Sequence, residues 1–310
     1  MDRVSTATIY NSLVGNLMTA QTSQVTAADQ ISSGKVATDL QGYGSQAETL
    51  TAMQSVQDQT QSFLDQSPVI SAKLSSQDTA FGQISDGLST ASTAITGAIA
   101  TGQGGDLMQA LSTAFQGVVG GLNSTYNGQY LFSGGQVNTP ATSATQLSDL
   151  TSAPSIGSLF NNDQYQATAQ ISQNTTIQTG FLASNVGAAT YNAFQSIEAY
   201  DQGPNGPFTS PLTTAQTTFL QSTIATFTAA SQGVTNAQAQ NGLLQTQVTN
   251  TQTDLTNQST TMQGLIGNIT DADLGKASTN LQQAQLALQA SAKVIASLQS
   301  DSLATLLPTA

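Results

Sequence analysis

Eight residues spaced seven apart run through the C-terminal third of the chain: Leu220, Phe227, Val234, Asn241, Val248, Leu255, Met262 and Ile269. Seven of the eight are apolar. A seven-residue apolar repeat marks a helix whose stripe lies against another helix. The interleaved positions are weaker: Ala230, Ala237 and Leu244, then Thr251 and Gln258, then Leu265. At about 1.5 Å per residue, a helix over 212–270 is about 90 Å long. A helix of that length cannot bury its own stripe, so it needs a partner from the same chain or from another subunit.

The N-terminal half offers one. Leu74, Phe81, Leu88 and Ile95 are seven apart, and Gln77, Ile84, Ala91 and Ala98 interleave with them, giving an a/d seam with one polar position. Pro68, preceded by Ser67, predicts a break or kink before this seam. Gly102 to Gly105 end the segment, and a further helix from Asp106 presents Leu107, Leu111, Phe115, Val118 and Leu122 on one face. At the start of the chain, Val4, Ile9, Leu13, Leu17, Ala20, Ala27 and Ile31 fall at helical spacings. This first helix is expected to stop at Gly34, in a left-handed C-cap.

The two ends are poor in proline, whereas the middle holds Pro140, Pro154, Pro204, Pro207 and Pro211 among Gly and Asn. Strand signals lie in Gln129 to Phe132, in Gln164 to Ser172 and around Thr175 to Thr179, with Gln173-Asn174 as a turn between the last two. A short helix around Gly187 to Tyr200 follows. The fold class read from these patterns is mainly α: a long antiparallel helical, coiled-coil rod built from N- and C-terminal segments, with a small central β-containing insertion. Its expected divisions are 1–40, an assembly helix and loop; 41–136, the N-terminal part of the rod; 137–211, the β-containing domain; 212–270, the long rod helix; and 271–310, a second assembly helix.

The last division rests on a phase slip. The long heptad ends at Ile269, and a new seam starts at Leu274 and continues through Ala277, Leu281, Ala284, Leu288, Ser291, Ile295 and Leu298. Thr270 or Asp271 is expected to cap the new helix. Leu303, Leu306 and Leu307 add an apolar tail. Both ends carry wide apolar or small faces and little charge, which points to assembly into a larger polymer. The residues expected at that interface are Ile9, Leu13, Leu17, Leu274, Leu281, Leu288, Ile295, Leu298 and Leu303.

The chain contains no Cys, His or Trp. That removes thiolate and imidazole metal sites and Cys- or His-based nucleophilic catalysis. Asp271, Asp273 and Gly275 fail as a calcium loop, because Leu274 and Gln282 stand where oxygen ligands are needed. Gly102 to Gly105 lack the Lys-Ser/Thr of a phosphate loop, and Glu48 with Asp39 makes no catalytic constellation. No enzyme activity, cofactor, metal or small-molecule substrate is expected. The net charge is −12, and the only cations are Arg3, Lys35, Lys73, Lys276 and Lys293. Without clustered Lys or Arg, neither nucleic acid nor an anionic membrane surface is an expected partner. No stretch approaches the roughly 18 apolar residues of a membrane span, and the N-terminus lacks a cleavable secretory signal.

Two terminal signatures resemble the bacterial flagellin family. The first helix ends in Ile31-Ser32-Ser33-Gly34-Lys35. The final segment reads Ile269-Thr270-Asp271-Ala272-Asp273, followed by Leu281, Gln285, Leu288-Gln289-Ala290 and Ser302-Leu303. Asn127-Gly128-Gln129-Tyr130-Leu131-Phe132-Ser133-Gly134, with Arg3-Val4-Ser5-Thr6 and Tyr10, is similar to the members that join hook to filament; a filament-forming member is the alternative. Val36 to Tyr43 departs from the family's usual loop by retaining only Asp39. The resemblance implies an extracellular place in the flagellum, reached by flagellar type III export without a cleaved signal. It also implies terminal helices that order on assembly. The implied partners are flagellin, other hook-associated proteins, further copies of this chain (self) and a flagellar export chaperone.

Overall fold

In the computed structural model the backbone is described for residues 2–304 and the side chains for residues 8–297. The helices are α1 (Asp2–Ser33), α2 (Ala47–Thr101), α3 (Leu107–Leu122), α4 (Leu147–Ser152), α5 (Ala183–Asp201), α6 (Thr214–Thr270) and α7 (Leu274–Ala304). Four short strands lie between α3 and α5: β1 (Thr125–Tyr126), β2 (Gln129–Tyr130), β3 (Thr168–Ser172) and β4 (Thr175–Gln178). The chain divides into two compact units, one of Met1–Gln59 with Gln258–Ala310 and the other of Thr60–Asn257.

The unit of Thr60–Asn257 holds the large core. Leu74, Phe81, Ile84, Leu88, Ala91 and Ile95 of α2 are fully buried, as are Leu220, Phe227, Val234 and Asn241 of α6. This is the a/d burial that the heptads dictate. α3 joins the same core through Leu111, Phe115 and Val118. It approaches α2 closely because of two glycines: a Cβ on Gly87 would stand 2.7 Å from the Ala114 carbonyl oxygen, and one on Gly121 would stand 2.9 Å from that of Ala80. Aromatic rings tie the remaining pieces in. Phe81 meets Phe132 at 5.2 Å and Phe181 at 5.1 Å, and Phe194 of α5 meets Phe227 of α6 edge-on at 5.0 Å.

Two amides interrupt the apolar seam, and both are fully buried. Asn241 Nδ2 donates to the Leu74 carbonyl at 2.8 Å, and Gln77 Nε2 donates to the Thr179 carbonyl at 2.9 Å. Their side-chain oxygens accept no hydrogen bond. Single polar positions of this kind fix helix register at a cost in stability. Gln77 thereby also fastens the end of the β3–β4 hairpin to α2.

Of the break or kink expected at Pro68, the break does not occur. α2 is a continuous helix of 55 residues with Pro68 inside it. Proline removes one backbone donor and loosens the turn before it. Buried Ser67 donates its hydroxyl to the Phe63 carbonyl at 2.9 Å, next to the Leu64 carbonyl that Pro68 leaves without its helical donor.

The strands are shorter than expected. β1 and β2 form an antiparallel hairpin in which Thr125 pairs with Tyr130 and Tyr126 with Gln129. Its two-residue turn is Asn127-Gly128, with φ of 50° and 76°. Both are positive, the combination for which Asn-Gly is preferred in tight hairpins. Leu131 and Phe132 leave the ladder and enter the core. β3 and β4 pair antiparallel, as the Gln173-Asn174 turn predicts. α5 is longer than the expected 187–200 helix. α4 was not anticipated; its first turn is held by Asp149, whose Oδ2 accepts from the Thr145 and Gln146 amides at 2.7 and 3.0 Å.

The other unit is thin. α1 packs along α7, and the buried positions of this pair are small: Ala20 and Ala27 on α1, Ala277 and Ala284 on α7. Each set is seven apart, so the expected C-terminal seam is present. Below the pair, Leu50 of α2 is buried, and Gln57 Nε2 donates to Ser259 Oγ at 2.7 Å.

Candidate assembly surface

Where α1 ends, the chain is stitched to the start of α7. Gly34 takes the expected left-handed conformation, φ 70°, and its amide donates to the Gln30 carbonyl at 3.0 Å. The next residues then pair with the α6–α7 junction as one antiparallel bridge between Lys35 and Asp271. The Val36 amide donates to the Thr270 carbonyl at 2.7 Å, and the Ala272 amide donates to the Gly34 carbonyl at 2.9 Å. Lys35 Nζ reaches Asp271 Oδ1 at 2.6 Å and Thr270 Oγ1 at 3.2 Å. The end of α1 thus meets the beginning of α7, which makes the two helices antiparallel.

The Lys35 ammonium, then the Thr270 hydroxyl, hold the Asp271 carboxyl below the usual aspartate range. Both partners of the pair are largely exposed, so the backbone bridge, not the ion pair, sets most of the geometry. The expected helix cap is corrected here. Asp273 caps α7, its Oδ1 accepting from the Lys276 amide at 3.0 Å. Asp271 is committed to Lys35 instead, and Thr270 ends α6.

The residues expected at an interface divide between two faces. Leu13 and Leu17 of α1 and Leu281, Leu288 and Ile295 of α7 are half-buried, at positions in phase with the buried alanines of the α1–α7 seam. Ile9 and Leu274 are exposed, at 49% and 51%. The side chains of Leu298 and Leu303 lie outside the described residues, as do Leu306 and Leu307 altogether.

A second group of apolar side chains points away from the seam: Met18 (62% exposed) and Val25 on α1, and Leu286 (65% exposed) and Val294 on α7. Sequence reasoning passed over these because it sought one stripe per helix. The signal was present in the apolar residues left over once the seam was assigned, with Met18 and Val25 themselves seven apart. Between the helices runs a groove of small polar groups, among them Thr19, Ser23, Thr26, Asn280 and Gln283.

Chemically this surface suits packing and little else. Over residues 8–33 the only charge is Asp29, and over 274–297 the only charges are Lys276 and Lys293. Burying such faces desolvates almost no ions. Among the described residues no three His, Cys, Asp or Glu side chains come together as a metal site.

Comparison with known proteins agrees with this picture. Residues 4–137 match the bacterial flagellin N-terminal helical region, and residues 224–307 match the bacterial flagellin C-terminal helical region. Together the matches span more than half of the chain. A flagellar hook-associated protein from Vibrio parahaemolyticus has a similar fold, with a TM-score of 0.58 at 12% identity, over 72% of this chain and 96% of that one. FlgL from Bacillus cereus is similar with a TM-score of 0.52 at 11% identity, over 70% of this chain and 98% of that one. At such identities the likeness is one of fold alone. No curated protein sequence matched.

Proposed function

The chain belongs to the bacterial flagellin family and is a non-enzymatic structural subunit of the extracellular flagellum, and from that premise we propose that it is the adaptor between hook and filament. The observation that carries this reading is the extent of the fold likeness. It takes in nearly the whole of a solved hook-associated protein and of FlgL. The Asn127–Gly134 segment supports it: a tight Asn-Gly hairpin followed by Leu131 and Phe132 driven into the core.

The mechanism follows from the terminal helices. Among the described residues the α1–α7 pair buries only alanines fully and leaves Ile9, Met18, Val25, Leu274, Leu286 and Val294 exposed. Segments that cannot cover their own apolar surface gain stability by packing on neighbours. Leu13, Leu17, Leu281, Leu288 and Ile295 join the helices to each other, and the outward residues join the pair to adjacent subunits. Partners in this scheme are the hook-associated protein below, flagellin or a further hook-associated protein above, and copies of the chain alongside. An export chaperone covers the same apolar faces before secretion.

Immunogold labelling of intact flagella tests the assignment. A band confined to the distal end of the hook is expected, together with intact hooks and flagellin lost to the medium when the chain is deleted. Label along the whole filament overturns the adaptor reading in favour of a filament-forming subunit.

A further inference from the structure

The unit of Thr60–Asn257 contains nine acidic residues and a single basic one, Lys73. That lone cation is not spread over an open face. It sits half-buried in a cleft of about 440 Å³, lined by Val69, Tyr126, Tyr130, Leu131, Tyr165 and Phe181 among others. No acidic side chain lines the cleft. Among the described residues the Lys73 ammonium makes no hydrogen bond and no ion pair. Asp163 spends its Oδ1 on the amides of two lining residues, Gly135 and Tyr165, at 2.8 and 2.9 Å, and so braces the cleft rim. Burial lowers the Lys73 pKa, consistent with an ammonium that has lost water and gained no counter-charge.

Copies of such a unit repel one another, since each carries a large excess of negative charge. Any attractive charge pair between this unit of one copy and the same unit of the next must use Lys73 on one side. The other side is well supplied: Asp86, Asp106 and Asp254 are exposed. The cleft also suits an ion pair better than open surface does. Tyr126, Tyr130 and Phe181 shield it from water, and partial desolvation strengthens a pair that would be screened outside.

We propose that this cleft is where one copy of the chain receives a carboxylate of the next copy, with Lys73 as the cation that holds it. The inference rests on the reading that copies adjoin in the flagellum, and it adds a contact outside the terminal helices.

Carbodiimide coupling of intact flagella tests it. The reagent activates a carboxylate, a contacting lysine amine attacks the activated carbonyl, and an amide forms as the urea leaves with the carboxylate oxygen. The Lys35–Asp271 pair, at 2.6 Å within one chain, is an internal control that should couple in every sample. The expected result is a Lys73 peptide joined to an Asp- or Glu-bearing peptide of this same chain, found in flagella and lost from dilute dissociated chain. Coupling of Lys73 only to another protein overturns the proposal, as does coupling that persists in the dilute chain. Failure to couple at Lys73, while other copy-to-copy links form, sinks this contact alone. Absence of every copy-to-copy link also sinks it, and removes the adjoining-copies reading with it. As a second arm, Lys73→Glu should increase loss of the chain from flagella in a salt wash, whereas Lys73→Arg should retain it. Equal retention of both variants counts against the cleft.

Discussion

Replacing Leu286 with Asp separates the outward face of α7 from its seam. Leu286 is 65% exposed in the free chain, so the substitution changes its fold stability within about 0.5 kcal/mol. Burying a whole leucine side chain is worth about 1.5–3 kcal/mol, and with about two thirds still exposed, roughly 1–2 kcal/mol remains to be gained on assembly. An aspartate forfeits that gain and adds the cost of desolvating a carboxylate, for a total of about 2–4 kcal/mol per contact. At 1.4 kcal/mol per tenfold, the partition between assembled and unassembled chain shifts by roughly 30- to 1,000-fold. The assay is quantitative immunoblotting of the chain in sheared flagella and in the culture medium, alongside a thermal melt of the purified chain. The expected outcome is an unchanged melt with most of the variant in the medium. Leu288→Asp is the contrast, because half-buried Leu288 sits in the seam with α1, and its loss should also weaken the helix pair itself. If Leu286→Asp assembles at the wild-type level, the outward face is not an interface. If it lowers the melt as much as Leu288→Asp, the residue does not face outward.

Three further outcomes follow from the geometry. Asn241→Leu exchanges one hydrogen bond and an unsatisfied oxygen for apolar burial, so it should stabilise the free chain by about 1–3 kcal/mol; a lower midpoint in urea refutes this. Asp271→Asn removes the pair with Lys35. Because the folded carboxyl is held low, the pair's contribution is present above about pH 4 and is lost as pH falls through the lower folded value. The gap in dissociation rate from flagella between wild type and Asp271→Asn should therefore be open at pH 7 and close in strong acid; a gap that does not change with pH refutes it. Burial raises the Glu198 pKa despite the Gln202 side chain donating to its Oε1 at 2.6 Å. The folded state thus favours the protonated form, and stability is lost as pH rises. Glu198→Gln should melt higher than wild type at neutral pH and match it below about pH 4, and a lower melting temperature at pH 7 overturns that reading.

The long helices were legible because burial along a helix leaves a period in the sequence. Leu74 to Ile95 and Leu220 to Val248 were assigned from spacing alone, and they are the fully buried stripes. Even the polar exceptions, Gln77 and Asn241, stood out as breaks in the pattern. At Pro68 the local rule gives way to the packing of the residues that follow, since α2 runs on through it with Leu74 and Phe81 fully buried. The capping of α7 misled for a different reason. Thr270, Asp271 and Asp273 are all good cap residues, and the choice among them was made by a lysine 236 positions away from Asp271. No local pattern carries such a pairing. The outward apolar residues Met18, Val25, Leu286 and Val294 were readable but unread, since an amphipathic helix is usually granted one apolar face. The middle of the chain was legible only as short strands and turns, because its fold is fixed by non-local contacts such as Phe81 with Phe132.

The stitch between Lys35 and Asp271 also imposes an order of events. A polypeptide emerging N-terminus first presents α1 long before α7 exists to receive it, since α7 is the last helix among the described residues. Until the final segment has emerged, the first helix has no antiparallel mate, and the bridge at residues 34–36 has no strand to pair with. A prematurely ended chain therefore never closes its base, however well its middle has folded. Only molecules made through α7 can form the pair of helices.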